Sequence, residues 1–343
     1  MRDELILRRC FQLARLGAGN VSPNPMVGAV LVHEGKIIGE GWHQRWGEAH
    51  AEVNCLRAVS PENQALIPYS TLYCNLEPCF HFGKTPPCTD LILDHKIPSV
   101  VVSNTDPNPL VAGKGLAKLK SAGVKVSHGI LEEDGLWLNR AFFTWISGQR
   151  PRVILKWAQT SDGFLGKKNE RTAISSPAAL RLVHRWRAEC DAILVGTNTA
   201  LLDDPRLDVR HYFGKNPLRI MLDSKGKIPS SHHLLDDSTE TWVYGSISST
   251  VQYSKTKFLQ TTGKLLITSL LEDLKKANHA ILLVEGGADV LNQFMETGYW
   301  DEIRVLENEL HLAEGLRSPQ IPAHAVLKEQ FSVGADTVRI FTR

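Results

Sequence analysis

The stretch "LEPCFHFGKTPPC", residues 76–88, sets Cys79 and Cys88 at the two ends of a short polar segment that also holds a histidine, a lysine and two adjacent prolines. Upstream, in "GEAHAEVNCL" (47–56), His50 and Glu52 frame a single alanine. Two thiolates and one imidazole are a tight donor set for zinc, a borderline-soft ion, and three protein ligands leave the fourth tetrahedral position open to water. Water held there has its pKa lowered to about 7. Glu52, kept off the metal, takes the proton from that water and delivers it to a leaving amine.

His50-Ala51-Glu52 followed by Pro78-Cys79 and Cys88 follows the H-x-E … P-C-x-x-C order of zinc nucleobase deaminases, with eight residues rather than two between the cysteines. His50 and Cys88 both fall where helices are expected to begin, and Pro86-Pro87 suits a first helical turn. The partial positive charge of a helix N-terminus favours thiolate. Two other readings stand beside this one. Cys74 or His81 as a fourth ligand makes a closed structural zinc site, and Lys84 with His81 can be a solvated loop tip. Cys10, Cys55, Cys74 and Cys190 read as small core hydrophobes.

The 343-residue chain, 43% hydrophobic, is long enough for two domains. Its 39 Lys plus Arg and 37 Asp plus Glu give a formal charge of +2 with no long basic run, which disfavours nucleic acid as a partner. No stretch reaches the roughly 18 apolar residues of a membrane helix, and "MRDELILRRCFQLARLGAG" lacks the apolar core of a signal peptide. A cytoplasmic location with reduced thiols is expected.

Residues 3–17 read as a helix, and "MVGAVLVHEGKIIGEGWH" as two strands joined at Glu34-Gly35. A helix from near Ala49, the strand "STLYCNL", a helix from Cys88, the strand "SVVVSN" and a helix over 113–122 follow, the alternation of a layered α/β domain. "EEDGLWLNRAFFTWI" reads as helical and leads into "SGQRP". The expected division is therefore a first domain over 1–146, a linker at 147–151 and a second domain over 152–343. The second begins with the strand "RVILKWA" and a helix over 177–188. It continues with "DAILVG", "PLRIMLD", "TWVYG", "KLLIT" and "AILLVEGG" as short buried strands.

Taken with "HAE", the segments "LEPCFHFGKTPPC" and "SNTDPNPLVAGKG" (103–115) resemble the deaminase half of the bifunctional riboflavin-biosynthesis deaminase/reductases, whose longer loop between the cysteines ends in this way. "RPRVILKWAQTSDG", "RAECDAILVGTNTALLDDPRLDVR", "NPLRIMLD" and "VEGGADVLNQF" are similar to the reductase half. The resemblance implies a cytidine-deaminase-like three-layer αβα domain followed by a dihydrofolate-reductase-like α/β domain. It also implies one Zn2+, NADPH, small phosphorylated pyrimidine substrates, and a homo-oligomer, dimer or tetramer. By motif it implies Asn24, His43, Lys84, Asp106 and Asn108 as substrate contacts in the first domain. In the second it implies Lys156, Arg187, Asp203, Leu207, Arg210 and Glu285 around the sugar phosphate, with Ala158, Thr199 and Gly286-Gly287 along the cofactor.

Lys84 has an independent rationale, since a cation between two zinc ligands can pair a phosphate or polarise a ring oxygen. Arg187 and Arg210 suit a phosphate as planar forks, although an arginine on a helix is commonly a surface charge. "AILLVEGG" running into "ADVLNQF" brings bare backbone and a helix N-terminus to an anion, without being a G-x-G-x-x-G fingerprint. The chain departs from the family at "RTAI", where Arg171 and Ala173 stand in place of a serine and a tryptophan, and at "LENELHLAEGLRSP", which lacks a Gly-rich run. The competing functions are a free-nucleobase or tRNA deaminase, which calls for a basic RNA-binding face, and a structural zinc joined to a phosphate-ligand binding module.

Overall fold

The computed structural model describes residues 2–82, 86–108, 111–148, 150–245, 252–260 and 266–343. The chain divides into two compact units, Met1–Gln149 and Arg150–Arg343.

The first unit runs α1 (Arg2–Arg15), β1 (Gly28–His33), β2 (Lys36–Trp42), α2 (Ala51–Arg57), a 3-10 turn (Pro61–Tyr69), β3 (Thr71–Leu76), α3 (Cys88–Asp94), β4 (Ser99–Asn104), α4 (Lys114–Ser121), β5 (Lys125–His128), α5 (Glu132–Leu138) and α6 (Arg140–Ser147). Its sheet has the order β2-β1-β3-β4-β5. The β1–β2 and β1–β3 pairs are antiparallel, while β3–β4 and β4–β5 are parallel. Alternation along β1 makes three layers: Ala29 and Leu31 pack with Ala51, Cys55, Ile92 and Leu119 of the helices on one face, and Val30 and Val32 pack with Leu7, Cys10 and Leu13 of α1 on the other. The β1–β2 turn takes positive φ at Glu34 and Gly35, 45° and 82°, as a tight hairpin requires. At Gly41 a methyl group would lie 2.2 Å from the Cys55 amide nitrogen, so only glycine lets α2 approach β2 this closely.

The second unit runs β6 (Arg152–Thr160), β7 (Phe164–Gly166), α7 (Pro177–Ala188), β8 (Ala192–Gly196), α8 (Thr197–Asp203), β9 (Leu218–Leu222), β10 (Thr241–Gly245), β11 (Thr256–Gln260), α9 (Leu266–Lys276), β12 (Ile281–Val284), α10 (Ala288–Glu296), β13 (Glu302–Asn308), β14 (Leu316–Arg317), β15 (Val326–Val333) and β16 (Asp336–Thr342). Its sheet has the order β11-β10-β9-β8-β12-β6-β13-β16-β15, parallel from β11 to β13 and antiparallel through β16 and β15, while β7 and β14 form a separate pair. The inner parallel strands β8, β9 and β10 are buried on both faces, which explains their largely apolar runs.

Two sequence expectations are corrected. "KLLIT" is not a strand where it is described: from Leu266 onward the chain is α9, because Ile267, Leu270, Leu271 and Leu274 recur at helical spacing and all four are buried. "EEDGLWLNRAFFTWI" is two helices rather than one. Asn139 leaves helical geometry at φ −98°, ψ 19°, and its buried amide bonds both backbone groups of Met26 at 2.8 and 2.9 Å. No helix among the described residues is long and apolar enough to cross a membrane.

Candidate functional site

His50 is the N-cap of α2 and Cys88 opens α3, with Pro87 in extended backbone before it. Cys79 follows β3 in the segment leading to α3. These elements bring the His50 Nδ1 nitrogen and the two Sγ atoms within 4.8 Å of one another. His50 Nδ1 lies 3.4 Å from each sulfur. A tetrahedral ion with Zn–S near 2.3 Å and Zn–N near 2.0 Å holds sulfur and nitrogen about 3.5 Å apart, so the donor set fits zinc.

The Cys79 thiol is held down to about 4, first by its hydrogen bond with Cys88, and His50 is pushed up to about 9, first by its hydrogen bond with Cys79. The Cys88 thiol is pushed well up, first by its hydrogen bond with Cys79, so of the three donors only Cys79 carries thiolate character, and a metal bound here would displace the protons of the other two. Among the described residues no fourth histidine, cysteine or acid joins the three. Cys74 is in the apolar core of the unit and His81 is exposed, so neither closes the set. Glu52 is buried in the first turn of α2 and interacts with Cys88, Cys79 and His50; burial is the leading cause that raises its pKa.

His43 is buried beside the cluster, its ring 5.5 Å from that of His50 and edge-on. Its two nitrogens meet Ala49 O at 3.1 Å and Asn24 Nδ2 at 3.2 Å, and burial lowers its pKa. Asn24 and His43 are therefore one hydrogen-bonded pair. Asp106 accepts the Asn108 amide at 2.8 Å, and burial raises its carboxyl. Lys84 lies outside the described residues.

Sequence reasoning missed the residues that hold these segments. The buried Glu77 carboxylate accepts four backbone N–H groups, from Asp106 and Gly113 at 3.1 and 3.0 Å and from Gly115 and Leu116 at 2.9 and 3.2 Å. It thereby fixes the chain on both sides of Asn108. Asn75 spans Gly28 N and Met26 O at 2.7 and 2.9 Å, tying the segment after Asn24 to β3. The available signal was two polar residues, Asn75 and Glu77, ending an apolar strand.

In the second unit a cleft of about 1100 Å³ is lined by all ten expected residues: Lys156, Ala158, Arg187, Thr199, Asp203, Leu207, Arg210, Glu285, Gly286 and Gly287. They come from β6, α7, α8 and the segment after it, and the end of β12. Arg187 does not present an empty fork, because its Nε and Nη2 meet both oxygens of Glu285 at 3.1 and 2.8 Å. Glu285 is held down at about 2: burial opposes ionisation, and Arg187, then Lys156, outweigh it. Lys156 is pushed down by burial. Arg210 pairs with Asp208. Arg171 and Ala173 also line the cleft, and Arg171 draws down the Asp203 carboxyl that burial raises.

At about 1100 Å³ the cleft is slightly larger than the ~300–1,000 Å³ of ordinary ligand pockets. A methyl on Gly287 would come within 3.2 Å of Thr199 Oγ1, and one on Gly286 within 2.9 Å of Val290 Cβ, so this wall is bare backbone leading into α10.

Comparison with known proteins matches each unit to a known family. Residues 1–104 match the cytidine and deoxycytidylate deaminase zinc-binding region, and residues 151–308 match the RibD C-terminal domain. The riboflavin biosynthesis protein RibD of Aquifex aeolicus is 38% identical over 99% of this chain and 98% of its own length. That of Escherichia coli is 35% identical over 89% and 87%. The crystal structure of a diaminohydroxyphosphoribosylaminopyrimidine deaminase/5-amino-6-(5-phosphoribosylamino)uracil reductase from Thermotoga maritima superimposes with a TM-score of 0.91, at 31% identity and covering 99% of this chain and 98% of that one. With a zinc donor set in one unit and a glycine-walled cleft in the other, the chain belongs to the RibD family of bifunctional riboflavin-biosynthesis deaminase/reductases.

Proposed function

We propose that residues 1–146 hydrolytically deaminate 2,5-diamino-6-(5-phosphoribosylamino)pyrimidin-4(3H)-one. Beyond a linker at 147–151, residues 152–343 then reduce the ribose of 5-amino-6-(5-phosphoribosylamino)uracil to ribityl with NADPH. The observation that carries this reading is the three-donor set with Glu52 buried against it.

His50, Cys79 and Cys88 would hold a zinc ion, which when bound would supply Lewis-acid activation of the attacking water. Glu52 takes a proton from that water and returns it to the departing amine, so ammonia leaves as the carbonyl forms. Asn24, His43, Asp106, Asn108 and Lys84 contact the pyrimidine substrate. In the second unit Ala158, Thr199 and Gly286-Gly287 would hold NADPH, which when bound would supply the hydride for reduction of the open-chain sugar. Lys156, Asp203, Leu207 and Arg210 orient that sugar, and Arg187 acts through Glu285. The near-balanced charge supports small phosphorylated pyrimidines over nucleic acid. A cytoplasmic homo-oligomer, dimer or tetramer, completes the reading, and sedimentation of the pure protein checks its size.

The test is Glu52→Gln. Zinc content and NADPH oxidation with the deaminated substrate are expected to match wild type, while ammonia release falls by a factor of about 10²–10⁴, the usual worth of a general acid–base group. Ammonia release at the wild-type rate overturns the assignment.

A further inference from the structure

In α7, Leu180, Val183, His184 and Arg187 share one face by helical spacing, and all four line the cleft. Three have evident roles as apolar wall or ion pair. His184 is only 2% exposed, and its Nδ1 has no hydrogen-bond partner in the protein. A buried polar atom without a partner is costly, and native structures keep few of them. The ring's packing partner is His211, edge-on with centroids 4.7 Å apart.

The charged and titratable groups facing His184 are Arg187 on its own helix, Arg210, His211 and Asp208 after α8, and Glu285 at the end of β12. With Lys156 beside Glu285, three fixed cations meet two carboxylates, so the corner favours an anion. Burial, followed by Arg187 and Arg210, holds the imidazole down to about 4, so it is neutral at pH 7.

We propose that His184 is a further substrate-binding residue of the reductase cleft, its Nδ1 meeting the phosphate oxygens of the sugar phosphate beside Arg210. The inference rests on the reading that this cleft takes a sugar phosphate. A neutral ring with Nδ1 protonated donates one charge-assisted hydrogen bond to the anion, and the arginines supply the field. The orphaned nitrogen is thereby completed by ligand rather than by protein.

The test is calorimetric binding of ribose 5-phosphate to the intact protein and to His184→Leu, His184→Asn and Arg210→Ala. Leucine fills a similar space and removes the unpaired nitrogen, so His184→Leu is expected to melt no lower than wild type yet bind at least roughly tenfold more weakly, the worth of one hydrogen bond to a charged group. Asparagine, whose amide can stand in for Nδ1, is expected to retain part of that affinity. Wild-type affinity in His184→Leu with weakened binding in Arg210→Ala overturns the role of His184 and leaves the sugar-phosphate reading standing. Unchanged binding in all three variants overturns both. Should His184→Leu fold poorly, the imidazole ¹⁵N resonance of His184 in the wild type decides: a shift on saturation with ribose 5-phosphate is expected, and none overturns the proposal.

Discussion

Arg187 and Glu285, 98 positions apart in sequence, meet as a two-pronged ion pair with side chains only 12% and 9% exposed. Breaking such a pair on one side leaves an uncompensated buried charge. Arg187→Met is therefore expected to destabilise the second unit by about 3–5 kcal/mol, while ammonia release by the first unit persists. Denaturant titration alongside the two activity assays checks both halves of that statement. Equal loss of the two activities would count against it.

The same neighbourhood predicts acid sensitivity. Glu285 titrates near 2 in the folded protein against an ordinary 4.5, so its stabilisation is complete above about 4.5 and is lost as pH falls toward 2. His184 titrates near 4 against an ordinary 6.5, so the unfolded chain takes up the proton first and stability declines as pH falls from about 6.5 to 4. Denaturation midpoints measured from pH 7.5 down to 4 are expected to fall, and His184→Leu is expected to flatten that slope.

Chelation separates the two activities. Removing the metal is expected to abolish ammonia release, leave NADPH oxidation with the deaminated substrate unchanged, and be reversed by added zinc. Cys79→Ser and Cys88→Ser are each expected to lower zinc content below one ion per chain, read by elemental analysis.

Glu77 positions rather than reacts. In Glu77→Gln an amide NH₂ faces backbone N–H donors, so two of the four bonds become donor–donor contacts and the loop loses roughly 1–3 kcal/mol of support. The expected signature is a deaminase KM raised about tenfold or more, with zinc retained. A changed reductase KM would argue for general damage instead.

Gly41→Ala tests the placement of α2. Its methyl group would overlap the Cys55 amide, 2.2 Å away, and the helix must shift with His50 and Glu52 on it. Ammonia release is expected to collapse while the reductase is untouched.

Much of this was legible in the sequence because short-range spacing encodes it. His50, Glu52, Cys79 and Cys88 announce themselves through residue type and interval, and the apolar runs at 192–195 and 281–284 read as buried strands because they are short and closely followed by glycine. "KLLIT" was misread because its apolar run is three residues long, Leu265 to Ile267, and so short a run does not distinguish period 2 from period 3.6. The hairpin of β15 and β16 went unread because β15 is exposed along nearly its whole length and shows no alternation. The partners of Glu77, Asn75 and Glu285 were invisible for another reason: they are backbone amides or distant side chains that only the fold brings near.

Glu77 grips its loop through the backbone: four amide hydrogens donate to its carboxylate, two of them in the first turn of α4. A tether of this kind does not read the side chains it holds, except where the backbone itself demands glycine: Gly113 has φ 74°, and a methyl on Gly115 would lie 2.5 Å from Pro78 O. Between those fixed points the loop can exchange its letters, and with them the shape of molecule it admits. Such a scaffold leaves selectivity free to drift without endangering the catalytic frame.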